Sequence, residues 1–169
     1  PFRRHHLPCK HMTGRKTSID SQEEKKKKIL ILFCGGTISM SKNAEGSLEV
    51  AHGAEQFLKL EPRLVEIAEI EVRSVMNIDS SNATPENWQQ IALAISDEYE
   101  KYDGFLITHG TNTMAYAASA LSFALQNIGK PVVLTGAQIP AEIISTDGRN
   151  NLVNALRVCT LDISGVFVV

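Results

Sequence analysis

The sequence predicts an α/β fold: a mainly parallel sheet with helices on both faces, three layers in all. Three observations predict it. Short, continuous apolar runs (Ile29–Phe33, Phe105–Thr108, Pro131–Leu134, Gly165–Val169) have the length and composition of strands buried on both sides. Segments with apolar residues at helical spacing alternate with them. Polar turns, several carrying glycine, follow the strands, where a strand hands over to a helix. The 169 residues fit one domain with a substantial core.

Residues 1–28 stand apart. They start at Pro1 rather than Met, have no hydrophobic periodicity and hold a Lys25–Lys28 run. They lack the apolar segment of about 7–15 residues that marks a secretory signal. A disordered leader or the remnant of a tag is expected there, with the organised domain at 29–169. Cys9 with His5, His6 and His11 are metal-ligating types, but a structural zinc site needs four ligands fixed by a fold, so a polar tail is the favoured reading.

Ile29–Phe33 is the first strand, and it stops at Gly35-Gly36-Thr37-Ile38. The two glycines permit a sharp turn and close approach of a ligand, and they put Thr37 at the strand's carboxyl end. Residues 39–52, with turn formers Asn43, Gly46 and Gly53 nearby, read as a loop or hairpin that can move. Ala54–Leu60 is a short helix candidate stopped by Pro62, and Arg63–Ala68 another turn of helix. Ile70–Met76 alternates as a strand, followed by the polar cluster Asn77–Asn82. Thr84 then reads as an N-cap, with Pro85 at the first helical position and Asn87 at the third. Trp88, Ile91, Ala92, Ile95 and Tyr99 recur at helical spacing, and Trp88 is expected in the core rather than as a ligand platform. Phe105–Thr108 leads into His109-Gly110-Thr111-Asn112-Thr113-Met114 and a helix rich in Ala and Ser over 115–126, able to pack close to the sheet. Pro131–Leu134 leads into Thr135-Gly136-Ala137-Gln138-Ile139-Pro140. Ser145–Gly148 precedes a helix with Leu152, Val153, Leu156 and Val158 on its apolar side, and the strand Gly165–Val169 follows.

Composition excludes several classes. A net charge of −2 gives no global basic bias for nucleic acid. No apolar run approaches the roughly 18 residues of a membrane span. Three widely spaced cysteines argue against a disulfide framework and for a reducing, cytoplasmic setting.

Three strand ends carry hydroxyls, at Thr37, Ser80 and Thr111, and a parallel sheet gathers such ends along one edge. Ligands of open α/β sheets bind there. The residues suit attack on a carbonyl by a threonine hydroxyl, with backbone N–H groups of the glycine turns as an oxyanion hole. The same turns could bind phosphate at helix N-termini, although the glycine spacing and lysine of a P-loop are absent. By itself, Thr after Gly-Gly reads more simply as a turn.

Ile31-Leu32-Phe33-Cys34-Gly35-Gly36-Thr37-Ile38 and Gly104-Phe105-Leu106-Ile107-Thr108-His109-Gly110-Thr111-Asn112-Thr113-Met114 resemble the two signature segments of the bacterial-type L-asparaginase (asparaginase/glutaminase) family. Asn77–Asn82 with Thr84–Trp88, and Thr135–Pro140, look most like its cytoplasmic type I branch. The resemblance spans about residues 28–169. It implies a Rossmann-like or flavodoxin-like N-terminal domain that hydrolyses L-asparagine, or its homologue L-glutamine, releasing ammonia with no metal or organic cofactor. It further implies a homo-oligomer, dimer or tetramer. Thr37 matches the nucleophile that forms the acyl-enzyme. Thr111 matches the second threonine, part of a Thr-Lys-Asp relay. Asp79, Ser80, Thr111 and position 112 match the groups that hold the substrate's α-amino and α-carboxylate groups, and Ala137 lies in the segment lining the amide pocket. The loop after Thr37 matches a mobile lid.

Two departures follow from the same resemblance. Asn112 stands where the family has Asp. A neutral amide loses the ion pair and cannot orient a lysine as a carboxylate does. Losing one member of a buried charged pair costs about 3–5 kcal/mol, enough to remove most turnover. The relay lysine of full-length relatives lies beyond the last strand here, as does a second domain, so the chain is expected to be the N-terminal domain only. Lys130 is no substitute, being expected at the opposite edge of the sheet. Three functions fit: an asparaginase domain with impaired activity, a non-catalytic amino-acid binding module that kept the pocket, and the related subunit that releases ammonia for tRNA-dependent amidation. The Asp79–Ser81 and Gln138–Pro140 segments favour the first over the third.

Overall fold

The computed structural model describes residues 25–37, 40–42, 48–50, 61–139 and 143–169. Seven strands are found among them: β1 (Lys28–Phe33), β2 (Met40–Lys42), β3 (Leu48–Val50), β4 (Glu69–Ser74), β5 (Gly104–Thr108), β6 (Pro131–Thr135) and β7 (Gly165–Val168). The helices are α1 (Leu64–Ile67), α2 (Pro85–Glu98), α3 (Met114–Ala124) and α4 (Gly148–Cys159). The expected alternation of strand and helix is therefore present. Segment 39–52 contains an antiparallel hairpin of β2 and β3, while the candidate helix Ala54–Leu60 and the His/Cys cluster of the leader lie outside the described residues.

Five strands form one parallel sheet in the order β4-β1-β5-β6-β7. The chain adds β4 on one side of β1 and then β5 on the other. The direction of winding thus reverses between β1 and β5, the point where open α/β sheets leave a crevice beyond their carboxyl ends.

Strand period two divides the core. Ile29, Ile31, Phe33, Leu106 and Val133 face α1 and α4, packing with Leu64, Leu152, Ala155 and Leu156. Leu30, Leu32, Phe105, Ile107, Val132 and Leu134 face α2 and α3, packing with Ile91, Ile95, Met114, Ala117 and Leu121. Each aliphatic side chain buried there contributes about 1.5–3 kcal/mol, which is why the strand sequences are apolar on both faces. Ala117 is fully buried, so α3 sits close to the sheet. Trp88 is half-buried and packs on this second cluster, in line with a core role.

β4 ends two residues before the sequence pattern does. Val75 and Met76 both direct their N–H groups to Phe33 O, at 2.9 and 3.3 Å. One carbonyl serves two donors, the ladder cannot advance, and the chain leaves the sheet above β1. Lys130, just before β6, lies at the amino ends of the strands. Its ammonium donates to Tyr99 O and sits 4.3 Å from the Tyr99 ring centre.

Candidate active site

The site is built at the carboxyl ends of β1, β4, β5 and β6. Pairing of β1 with β5 continues one residue past the strand, with Cys34 N–H on Thr108 O at 3.2 Å. Gly35 and Gly36 then take φ of +93° and +90°, a region that L side chains rarely adopt. This turn keeps the backbone low over the sheet. A Cβ at Gly36 would lie 2.8 Å from Gly110 N, so the turn fits against the segment that follows β5. Thr37 comes next, half-buried.

Above that turn, the segments after β4 and β5 meet although β1 separates their strands. Asp79 caps a short 3-10 turn, Ser80–Asn82, by accepting the Ser81 N–H at 2.8 Å. Thr113 Oγ1 donates to Ser80 O at 2.8 Å, and Asn112 Nδ2 donates to Ser81 Oγ at 2.8 Å. The approach is so close that a Cβ on Gly110 would fall 2.4 Å from Ser80 Oγ. Ser80 is itself buried.

β6 completes the group. Thr135 O accepts the His109 N–H at 2.9 Å, and Gln138 Nε2 donates to Thr111 Oγ1 at 2.9 Å. Asp147 holds the turn that carries Gln138. Its Oδ2 accepts the Gln138 N–H at 3.0 Å and its Oδ1 the Ile139 N–H at 3.1 Å. Burial pushes the Asp147 carboxyl up, but these two N–H groups and the Asn151 amide outweigh it and leave it below the usual range. Burial also pulls the His109 imidazole below its ordinary value, against a smaller opposing effect of the Gly110 carbonyl that Nδ1 meets at 2.8 Å. His109 is thus a neutral Nδ1–H donor at neutral pH, fixing its own turn.

Thr37, Ser80, Thr111, Asn112, Asp79 and Ala137 all lie on these four strand ends. Their side chains differ in use. Thr111 accepts from Gln138, Asn112 donates to Ser81, and Ser80 takes part through its backbone carbonyl, which accepts from Thr113. The Asp79 carboxylate is exposed and turned to its own Ser81. Ala137 packs into the α1–α4 core, and its neighbour Gln138 reaches Thr111 instead. Sequence reasoning assigns no role to Gln138, Asp147, Ser81 or Thr113. Asp-Gly before an amphipathic run reads as an N-cap, but the Asp147 side chain makes no cap bond to its helix and turns to the Gln138 and Ile139 N–H groups instead. The others act across 27 to 33 residues and leave no local trace. Among the described residues no group of three or more His, Cys, Asp or Glu is arranged to hold a metal ion, and no helix is long and apolar enough to cross a membrane.

The family model of the asparaginase N-terminal domain matches residues 28–169. The chain belongs to the asparaginase family. L-asparaginase 1 of Escherichia coli (strain K12) is 46% identical over 136 residues, covering 79% of this chain and 40% of the relative. The L-asparaginase I structure from Vibrio cholerae O1 superposes with a TM-score of 0.73 at 43% identity, covering 84% of this chain and 44% of that one. A glutamyl-tRNA(Gln) amidotransferase subunit of Pyrococcus abyssi is 38% identical over 143 residues, 83% of this chain and 33% of the relative. The chain thus spans well under half the length of these asparaginases. The resemblance read from the two signature segments and the α/β fold both stand.

Proposed function

We propose that this chain is the α/β domain of an amidohydrolase that converts L-asparagine to L-aspartate and ammonia. The observation that carries the reading is the delivery of Thr37, Ser80 and Thr111 by β1, β4 and β5 to the one edge where the winding reverses. In this reading the Thr37 hydroxyl oxygen bonds to the side-chain amide carbon, the C–N bond breaks, and the leaving amine takes up a proton to depart as ammonia. Water then cleaves the acyl-enzyme. Thr111 assists proton transfer. Asp79 and Ser80 meet the α-amino and α-carboxylate groups, with Asn112 beside them, and Ala137 contributes its backbone to the amide pocket. The cytoplasmic setting comes from the type I resemblance. Assembly into a homo-oligomer is supported by α3, which exposes Tyr116 and Phe123 in a stretch from Gly104 to Gly129 that has no Lys, Arg, Asp or Glu.

Incubation with L-asparagine followed by intact-mass spectrometry tests the reading. An aspartyl adduct on the chain and ammonia in solution are expected, and Thr37→Ala should abolish both. Full turnover by Thr37→Ala would exclude Thr37 as nucleophile. Asn112 favours a second reading, a binding module without turnover, because it puts a neutral amide, bonded to Ser81, at the substrate edge. Calorimetric binding of L-aspartate with no ammonia release would select it.

A further inference from the structure

We propose that Gln138 and Asp147 are positioning residues for the Thr111 hydroxyl. The inference rests on the hydrolase reading above and deepens it. Gln138 Nε2 donates to Thr111 Oγ1. A hydroxyl oxygen that accepts a fixed N–H has its own proton directed elsewhere. Negative charge that develops on that oxygen during proton transfer meets a donor already in place.

Gln138 is exposed, so its aim depends on the backbone beneath it. Asp147 fixes that backbone by taking two consecutive N–H groups, one on each carboxylate oxygen. Only a carboxylate does this, since an amide offers one acceptor and one donor. The clamp is braced on both sides. Asn151 Nδ2 donates to Gly136 O at 3.0 Å and to Asp147 Oδ2 at 3.3 Å, and Thr146 Oγ1 donates to Ile139 O at 2.8 Å. Asp147 therefore acts on Thr111 through the Gln138 turn, without contact of its own. Other ionisable side chains bonded at this edge include Asp79, whose carboxylate takes the Ser81 N–H, and His109, whose ring is turned to the Gly110 carbonyl.

The test uses Gln138→Glu in the full chain, with threonine methyl groups labelled for NMR. A protonated carboxyl at 138 donates to Thr111 as the amide does, whereas an ionised one can only accept. The Thr111 methyl signal is expected to follow a carboxyl titration that is absent without the substitution. Ammonia release should fall roughly 10²-fold at neutral pH and recover as pH drops through the same transition, with KM changed less than about twofold. Asp147→Asn should broaden the Gln138 side-chain amide signals and lower kcat by about tenfold. A Thr111 methyl blind to the new carboxyl overturns the proposal, as does a kcat profile that the substitution leaves unmoved. If the unsubstituted chain releases no ammonia while the Thr111 methyl tracks the carboxyl, the hydrolase reading fails and the positioning stands.

Discussion

Asn112 uses its amide N–H on Ser81 Oγ, and an aspartate in its place would have to accept from that hydroxyl instead. The geometry permits the exchange, because a hydroxyl both donates and accepts. Asn112→Asp is therefore expected to fold unchanged, to restore negative charge beside Ser80 and Thr111, and to raise ammonia release from L-asparagine by about tenfold or more. A coupled ammonia assay with the two chains side by side reads this directly, and an equal rate would remove charge at position 112 from the mechanism. At this scale the sequence is informative wherever a residue sits in a contiguous motif, as Thr37, Thr111 and Asn112 do. It is silent on what each side chain bonds to. Ala137 and Gln138 are neighbours, yet one packs inward and the other reaches Thr111, and only the backbone path after β6 decides which.

Among the elements, α2 gives the sharpest local check. Thr84-Pro85-Glu86-Asn87 is legible as a helix start. The structure forms that start as a capping box, in which the Asn87 side-chain oxygen takes the Thr84 N–H at 2.8 Å and the Thr84 hydroxyl at 3.1 Å. Asn87→Ala should then cost about 1 kcal/mol, seen as a lower urea midpoint with an unaltered slope. No change in midpoint would mean that water caps the helix equally well. The strands are legible because double-sided burial demands unbroken apolar runs. Their ends are less so. The stop of β4 is set by two N–H groups on Phe33 O, a tertiary event with no signature in residues 70–76.

For the whole molecule, the alternation of strand and helix can be read from the residues, but strand order cannot. That order is set by tertiary packing, and it puts β4 and β5 on opposite sides of β1 and so creates the crevice. The exposed surface carries its own prediction. Tyr116 and Phe123 are 67% and 80% exposed on α3, two helical turns apart on one face. Buried aromatic anchors dominate protein–protein interfaces. Phe123→Glu should leave the circular dichroism spectrum unchanged and weaken self-association by about tenfold or more in sedimentation experiments. An unchanged distribution of species would free this face from any role in assembly.

The arch of residues 80–81 and 110–113 over the glycine turn has a kinetic meaning. Its bonds join positions 31 and 33 apart, and they close only across a β1 already flanked by β4 and β5. Loop-closure entropy must be met by three assembled strands before either bond can form. The chemistry-bearing edge thus depends on non-local strand pairing, and in a chain growing from its amino end it cannot exist before Thr113 has emerged.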